Sequence, residues 1–330
     1  MNKLVLFLSV YILSLNGNAQ DKSEGILLPS QFIEGARFYV KIATSKGDTL
    51  LGFADTGGGF TALFPDVAEK NGLSKDLKSL TIGDQDVQYI LFDDLVADKR
   101  IPPIETASFI PVKESLFLVP SKKILGEQGV VLLKSIPQDI FLGQHFFMGK
   151  AWTFDYLNQK IWVNTPINKN EAKNENIQSI GFKKDESGNK LFGHPSMKVV
   201  IDGDTLDMLF DTGASFILSD TGKMQMNTSN ASIAGSFIAK SVYNKWVSNH
   251  PTWKVYKNAD NFTNIIEVPS VTIGSYSVGP VLFSVRPDEA WSKNMITSMD
   301  KVVKGAVGGS ALKYFKVKID YNNELIQFMK

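Results

Sequence analysis

The sequence predicts a mainly β protein made of two related lobes, with short helices. Two observations predict this fold class: short apolar and β-branched runs that lead into Gly-Asp turns, and an internal repeat whose parts return in the same order in each half of the chain. The 330 residues are enough for two lobes with cores of their own, and a hydrophobic content of 43% is ordinary for a globular protein.

The clearest local signals are two strands and one helix. Residues 38–42 and 197–201 are β-branched or aromatic runs, each followed by a Gly-Asp turn, and both are typical of strands. A helix is predicted over residues 65–71, because Pro65 suits a first helical position and Gly72 suits the position just past the end.

The repeat is carried by three anchors. The first is a Gly-Asp-Thr-Leu segment that stands eight residues before the Asp of an Asp-Thr-Gly tripeptide, and the acids of the two copies are Asp55 and Asp211. The other anchors are the Thr-Ile-Gly segments at 81–83 and 272–274 and the closing segments at 142–161 and 307–326. Three anchors in one order predict an internal duplication.

The spacing between the anchors differs in the two halves and locates what they do not share. The second half carries additional residues within 216–270, and the first half carries additional residues within 93–138. We therefore expect lobes at residues 20–163 and 195–330, joined by a linker at 164–194 that begins with a segment rich in Asn, Lys and Glu.

The first nineteen residues predict a removable export signal. Lys3 precedes an uncharged apolar run at residues 4–15, and small residues follow at Gly17 and Ala19. That run is shorter than the roughly 20 residues that a membrane-spanning helix needs. We expect an exported protein, periplasmic or secreted, without a membrane anchor. With no cysteine, it has no disulfides.

The overall charge and the histidines narrow the classes of partner. The 35 basic and 34 acidic residues nearly balance, so nucleic acid is not an expected partner. The three histidines are too few and too scattered to predict a metal site, and we expect no cofactor.

The two recurring acids suggest a chemistry. If the halves face each other, two carboxylates about 3 Å apart hold one proton between them, because both cannot ionise cheaply. One carboxyl group can then act as a base and the other as an acid toward a water that attacks an amide carbonyl. Glycine in each tripeptide allows close approach of the backbone, and the Thr hydroxyls can bond to the opposite half.

These motifs resemble those of the retropepsin-like and pepsin-like aspartic proteases. Residues 211–215, Asp-Thr-Gly-Ala-Ser, look like the retroviral catalytic loop, and residues 64–73 resemble the short helix of bacterial retropepsin-like domains. Residues 140–147 and the Asp-Tyr pair at 155–156 are similar to the closing signature of the same group. The resemblance covers roughly 37–163 and 195–329.

The resemblance implies two acid-protease-like β-barrel lobes and a set of site residues. It implies Asp55 and Asp211 as the catalytic pair. The supporting residues that it implies are Thr56, Gly57, Thr212 and Gly213. Pepsin-like enzymes usually carry Ser or Thr directly after the tripeptide, whereas this chain has Gly58 and Ala214.

An aromatic stretch at residues 233–256 is a candidate β-hairpin flap over the substrate, with Tyr243 and Trp246 as candidate residues of a substrate cleft. Together these features predict an exported aspartic-type endopeptidase that acts as a monomer on peptide or protein substrates. The alternative is a non-catalytic exported protein that binds peptides or glycans on the same bilobal fold. Hydrolysis of a non-protein amide, such as a cell-wall peptide, also stays open.

Overall fold

The computed structural model describes residues 25–33, 36–107, 110–168, 170, 174–261 and 263–330. It confirms the predicted fold class, which is mainly β with short helices. The predicted export signal at residues 1–19 lies outside the described residues. No helix within the described ranges combines the length and the apolar character needed to cross a membrane.

The strands that precede the second lobe are β1 (Ile26–Leu27), β2 (Ser30–Ile33), β3 (Arg37–Ala43), β4 (Thr49–Ala54), β5 (Ala62–Leu63), β6 (Lys78–Ile82), β7 (Gln85–Leu91), β8 (Leu116–Val119), β9 (Ile140–Leu142), β10 (Ala151–Asp155), β11 (Lys160–Val163) and β12 (Ile177–Ser179). The strands of the second lobe are β13 (Ser196–Ile201), β14 (Asp204–Phe210), β15 (Ser215–Ile217), β16 (Ser232–Ala234), β17 (Ser236–Ala239), β18 (Val255–Asp260), β19 (Thr263–Val268), β20 (Val271–Ile273), β21 (Tyr276–Val278), β22 (Val281–Arg286), β23 (Gly305–Val307), β24 (Lys316–Asp320) and β25 (Leu325–Met329).

The α-helices are short. They are α1 (Pro65–Lys70), α2 (Phe92–Leu95), α3 (Lys122–Ser135), α4 (Gln144–Phe147), α5 (Asp220–Met226), α6 (Lys240–Asn249) and α7 (Gly309–Leu312). The predicted helix at 65–71 is α1, which starts at Pro65 and is followed by Gly72 with a φ of +63°. Helix α3 lies in the extra segment of the first half and is interrupted at Gly126, whose φ is +66°.

Each lobe has its own sheet, and the two sheets share a common plan. The first lobe holds an eight-stranded sheet in the order β2-β3-β4-β9-β5-β8-β7-β6, and the second holds a nine-stranded sheet in the order β18-β19-β22-β17-β23-β14-β13-β20-β21. In each, an antiparallel hairpin is joined by a later strand that runs parallel to its second arm: β9 beside β4 in one lobe, and β23 beside β14 in the other. The predicted duplication is therefore visible in the strand pairing.

A six-stranded sheet joins the lobes, in the order β1-β11-β10-β24-β25-β12. Its centre is the antiparallel pair of β10 and β24, one from the closing hairpin of each half. The predicted linker contributes a strand to it, since β12 pairs with β25 at one edge. The linker is thus part of the interlobe sheet as well as a connection.

The recurring acids of the closing segments have structural roles. Asp155 accepts hydrogen bonds from the backbone and side-chain nitrogens of Asn158, each at 2.9 Å. Asp320 accepts from the backbone nitrogens of Asn322 and Asn323 at 3.0 and 2.9 Å. Both carboxylates therefore fix the turn of their own closing hairpin.

The prediction of a flap hairpin at residues 233–256 is wrong, because its central part is the helix α6. The aromatic content suggested a strand, but Val242 and Trp246 are four residues apart and lie on one face of a helix. That face packs against the main core.

The core continues through the interlobe sheet, and Phe154 is at its centre. This residue of β10 is fully buried, and its ring lies 5.8 Å from Phe38, 5.9 Å from Phe147 and 6.2 Å from Phe210, measured between ring centroids. Phe210 belongs to the second lobe and directly precedes Asp211. One side chain thus connects the packing of both lobes.

We expect Phe154→Ala to lower the free energy of unfolding by about 3–5 kcal/mol, because it leaves a cavity among aromatic rings from both lobes. Leu157→Ala is the matched control, since Leu157 lies in the turn of the same hairpin and is 51% exposed. Urea denaturation followed by tryptophan fluorescence measures both. A loss as small as that of Leu157→Ala would contradict this role for Phe154.

Candidate active site

The two predicted acids lie at equivalent places, where the central strand of each lobe ends. Asp55 follows β4 and Asp211 follows β14. The backbone nitrogen of Asp55 donates to the carbonyl of Leu142 at 3.0 Å, and that of Asp211 donates to the carbonyl of Val307 at 3.0 Å. Each acid is therefore held by the parallel strand beside it, β9 or β23, and its position is set by the sheet.

The threonines that follow these acids exchange hydrogen bonds across the lobes. Thr56 Oγ1 donates to the carbonyl of Phe210 at 2.9 Å and accepts from the backbone nitrogen of Thr212 at 3.0 Å. Thr212 Oγ1 donates to the carbonyl of Ala54 at 2.8 Å and accepts from the backbone nitrogen of Thr56 at 3.1 Å. Both threonines are buried. The four bonds hold the two loops in register.

The carboxyl groups of Asp55 and Asp211 meet at this crossing, where each lies against the glycine of the opposite tripeptide. Gly57 N donates to Asp55 Oδ1 at 2.9 Å, and Gly213 N donates to Asp211 Oδ1 at 3.0 Å. A Cβ on Gly57 would lie 2.5 Å from Asp211 Cγ, and one on Gly213 would collide with the carboxyl group of Asp55. Each glycine is required because the acid of the opposite lobe lies against it.

The pair has the electrostatics of a shared proton. Asp211 is 8% exposed, while Asp55 is partly exposed and gives the pair contact with solvent. Burial raises the pKa of Asp55 well above its usual range, with further increases from the charge of Asp211 and from the hydrogen bond between the two groups. Burial also raises the pKa of Asp211. One proton therefore stays on the pair at pH values where an ordinary carboxyl group has lost it.

Two buried tyrosines of the closing segments, Tyr156 and Tyr321, interact electrostatically with the acids. Burial raises the pKa of Tyr156 well above its usual range, and the charge of Asp211 raises it further. Burial and then the charge of Asp55 raise the pKa of Tyr321 in the same way. Both phenols therefore stay neutral. The only sequence signal was the Asp-Tyr pair that recurs in both halves.

The absence of a Ser or Thr after the tripeptide has a steric explanation at the first loop. A Cβ on Gly58 would lie 2.3 Å from Cε1 of Phe141, so the aromatic ring occupies the space that a Ser or Thr would need. In the second loop, the Cβ of Ala214 packs against Gly308, where an added Cβ would lie 2.5 Å away. Packing therefore explains the glycine at position 58, and in the second half it explains the glycine at position 308.

A cleft of about 1060 Å³ opens beside the two loops and is lined by both lobes. Gly59 and Ser215, just beyond the two tripeptides, form part of its wall. The lining also includes the aromatic Phe60, Phe64, Phe141 and Tyr243 and the charged Lys240, Arg286 and Glu289. Aromatic walls with a few polar groups are typical of ligand clefts.

The structure separates the two predicted cleft residues. Tyr243 lines the cleft, and its hydroxyl accepts a hydrogen bond from Asn264 at 3.2 Å. The prediction for Trp246 is wrong, because its side chain is fully buried and packs on Trp253 and Phe283. The two residues are three positions apart on α6, yet Trp246 belongs to the inward face of the helix.

No protein-family model matches the chain, and no curated protein matches it in sequence. Among solved structures, it is similar to edgp, with 8% identity over 93% of this chain and 94% of that one and a TM-score of 0.46. It is also similar to Basic 7S globulin from soybean, with 10% identity over 92% and 94% and a TM-score of 0.43. Sequence identities and TM-scores this low carry no information about the function of this chain.

We expect Thr212→Val to lower the free energy of unfolding by about 1–3 kcal/mol for each buried group left unpaired, namely the Ala54 carbonyl and the Thr56 amide. Thr212→Ser keeps the hydroxyl and is the matched control, with an expected loss of about 0.8 kcal/mol for one methyl group. Chemical denaturation measures both. Equal losses in the two variants would show that the hydroxyl does not join the lobes.

We expect Asp211→Asn to raise the melting temperature at pH 7. The pKa of each carboxyl group is higher in the folded protein than in the unfolded chain. The stability that each group contributes is therefore present below the unfolded pKa and is lost as the pH rises through the folded pKa. An amide removes the burial of charge, so the gain should be larger at pH 7 than at pH 4. Calorimetry at both pH values checks this. A variant less stable than the wild type at pH 7 would contradict the proton-sharing pair.

Proposed function

We propose that this protein is an exported aspartic-type endopeptidase that hydrolyses peptide bonds with the pair Asp55 and Asp211. The observation that carries the proposal is the contact across the lobes between the buried carboxyl group of Asp211 and the partly exposed one of Asp55, beside a cleft whose wall includes Gly59 and Ser215 from the two loops. The two lobes lie in one chain, so a complete pair forms within a monomer. The apolar run near the N-terminus supports export to a periplasm or out of the cell.

The chemistry follows from the shared proton. The ionised carboxyl group takes a proton from a bound water, and the oxygen of that water forms a bond to the carbonyl carbon of the scissile amide. The protonated carboxyl group donates to the carbonyl oxygen, which gains negative charge. The tetrahedral intermediate then collapses as the C–N bond breaks and the nitrogen takes a proton from the pair. The pair thus returns to its singly protonated state, and no cofactor is needed.

The cleft suits an extended peptide. Its aromatic residues Phe60, Phe141 and Tyr243 offer apolar surface to substrate side chains, and it reaches both catalytic loops. The partial exposure of Asp55 gives substrate and water a path to the pair. Thr56 and Thr212 support the reaction by fixing the loops, and Gly57 and Gly213 support it by allowing the acids to meet.

We expect Asp55→Asn and Asp211→Asn each to reduce peptide cleavage between pH 4 and 6 by about 10²–10⁴-fold, the usual contribution of general acid-base groups. Asp220→Asn is the matched control, because this aspartate is 98% exposed and pairs with Lys223 on the surface. Cleavage of a mixed peptide library, followed by mass spectrometry, measures the loss.

Two results would overturn the proposal in different ways. Full activity in either Asn variant would show that the pair does not carry the reaction. If the wild type cleaves nothing between pH 4 and 6 but retains bound peptides or glycans, the non-catalytic binding alternative replaces it. Cleavage confined to non-protein amides, such as cell-wall peptides, would change the substrate class while keeping the pair.

A further inference from the structure

The first catalytic loop needs support that the second does not. Asp55-Thr56 is followed by three consecutive glycines at 57–59, which have the greatest backbone freedom of any sequence. Yet this stretch supplies the N–H group of Gly57 that binds the Asp55 carboxyl. The catalytic geometry therefore depends on whatever restrains these glycines.

Gln144 restrains two of them. It is the first residue of α4 and is buried, with 2% exposure. Its backbone nitrogen donates to the carbonyl of Gly58 at 2.9 Å, and its side-chain Nε2 donates to the carbonyl of Gly59 at 2.9 Å. Its Oε1 accepts from the backbone nitrogen of Gly193 at 2.6 Å. The amide group thus links the catalytic loop to the end of the linker.

His194, the next residue of that linker, contacts the same loop. It is 4% exposed, with Nε2 at 3.4 Å from the carbonyl oxygen of Gly58 and Nδ1 at 3.0 Å from Ser298 Oγ. A carbonyl oxygen can only accept, so the hydrogen lies on Nε2 of the neutral ring. The hydroxyl of Ser298, which lies beside Nδ1, is also 3.2 Å from the carbonyl of Met295. The ring is therefore held on both sides, by Gly58 and by Ser298.

The second loop is restrained differently. Gly309 stands where Gln144 stands in the first half, directly after the Gly of the closing segment. The loop is held instead by a bond from Gly235 N to the Ala214 carbonyl at 2.8 Å and by a bond from Ser215 Oγ to the Gly213 carbonyl at 2.9 Å. The support from Gln144 and His194 is therefore specific to the loop that lacks a side chain after its tripeptide.

We propose that Gln144 and His194 are positioning residues for the reaction, which fix Gly58 and Gly59 and thereby hold the Asp55 carboxyl against Asp211. The kinetic part of this inference rests on the proposed function. The restraint of Gly58 and Gly59 does not depend on that function. The side-chain hydrogen bonds of Gln144 and His194 go to Gly59, Gly193, Ser298 and Gly58, and not to either carboxyl group. Their effect should therefore be on kcat, through loop geometry, with a small effect on KM.

The charge state of His194 suits this role. Burial lowers its pKa to about 4, with the hydrogen bond to Gly58 acting in the opposite direction. The pKa of His145 is also lowered to about 4, first by burial and then by the charges of His194 and Lys150. Lys150 in turn lies 3.6 Å from the carboxylate of Glu105. The pKa of His194 is lower in the folded protein than in the unfolded chain. Its contribution to the free energy of unfolding is therefore fully present above the unfolded pKa of 6.5 and is lost as the pH falls through 4.

The sharpest test is Gln144→Glu, which keeps the size and the Oε1 acceptor and, when its carboxyl group is ionised, removes the donor to Gly59. Gln178→Glu is the matched control, since Gln178 also bridges the backbone, donating to the Lys198 carbonyl at 3.2 Å and accepting from Lys198 N at 2.9 Å, but at an exposed place. We expect kcat to fall about 10- to 100-fold in Gln144→Glu with KM nearly unchanged, because small displacements of catalytic groups are costly. Gln178→Glu should retain full kcat.

A second pair of variants keeps the test decisive if Gln144→Glu fails to fold. His194→Leu removes the donor to Gly58, whereas His194→Gln keeps an N–H group there and should restore most of the kcat lost in the Leu variant. Both should reduce the loss of stability between pH 6.5 and 4. His250→Leu is the control, because His250 pairs with Asp202 at 2.7 Å on the surface.

Amide hydrogen exchange at residues 57–59 separates this inference from the proposed function. Faster exchange in Gln144→Glu and His194→Leu supports the restraint even if the wild type cleaves nothing, in which case only the endopeptidase proposal fails. Unchanged exchange, a kcat equal to that of Gln178→Glu, or a failure of His194→Gln to restore kcat would overturn the positioning role.

Discussion

Two carboxyl groups that touch and are largely removed from water cannot both be ionised at low cost, and the rest of this structure holds them in that arrangement. The parallel strands β9 and β23 fix the ends of β4 and β14, and the threonines Thr56 and Thr212 lock the two loops together. The interlobe sheet then prevents the lobes from separating. Stability given up at the pair is therefore offset by packing and hydrogen bonding around it.

The duplication supplies symmetry, but the two copies have diverged in how they support their loops. The second loop carries Ala214 and Ser215 and is held by local bonds. The first loop has glycines at 57–59, of which Gly57 lies against Asp211 and Gly58 against the ring of Phe141, and it is held by Gln144 and the linker. The linker therefore forms a strand of the interlobe sheet and also contacts the first Asp-Thr-Gly loop.

Much of the plan could be predicted from the sequence because its signals are local or repeated. The strands, the helix at Pro65 and the paired Asp-Thr-Gly loops follow from residue type and spacing. The helix α6 was missed because aromatic residues favoured a strand over a helical period, and Trp246 was misplaced with it. The roles of Gln144 and His194 could not be predicted from the sequence, because each contacts a segment that is distant along the chain. Gln144 is 85 residues from Gly59, and His194 is 136 residues from Gly58.

The sharing of one proton between Asp55 and Asp211 is tested most directly by carbon-13 NMR of the two labelled carboxyl groups during a pH titration. A shared proton predicts that both signals change together in steps that belong to the pair, with the last proton lost above the usual range of an aspartate. Two independent transitions, each near the ordinary aspartate pKa of about 3.9, would contradict it.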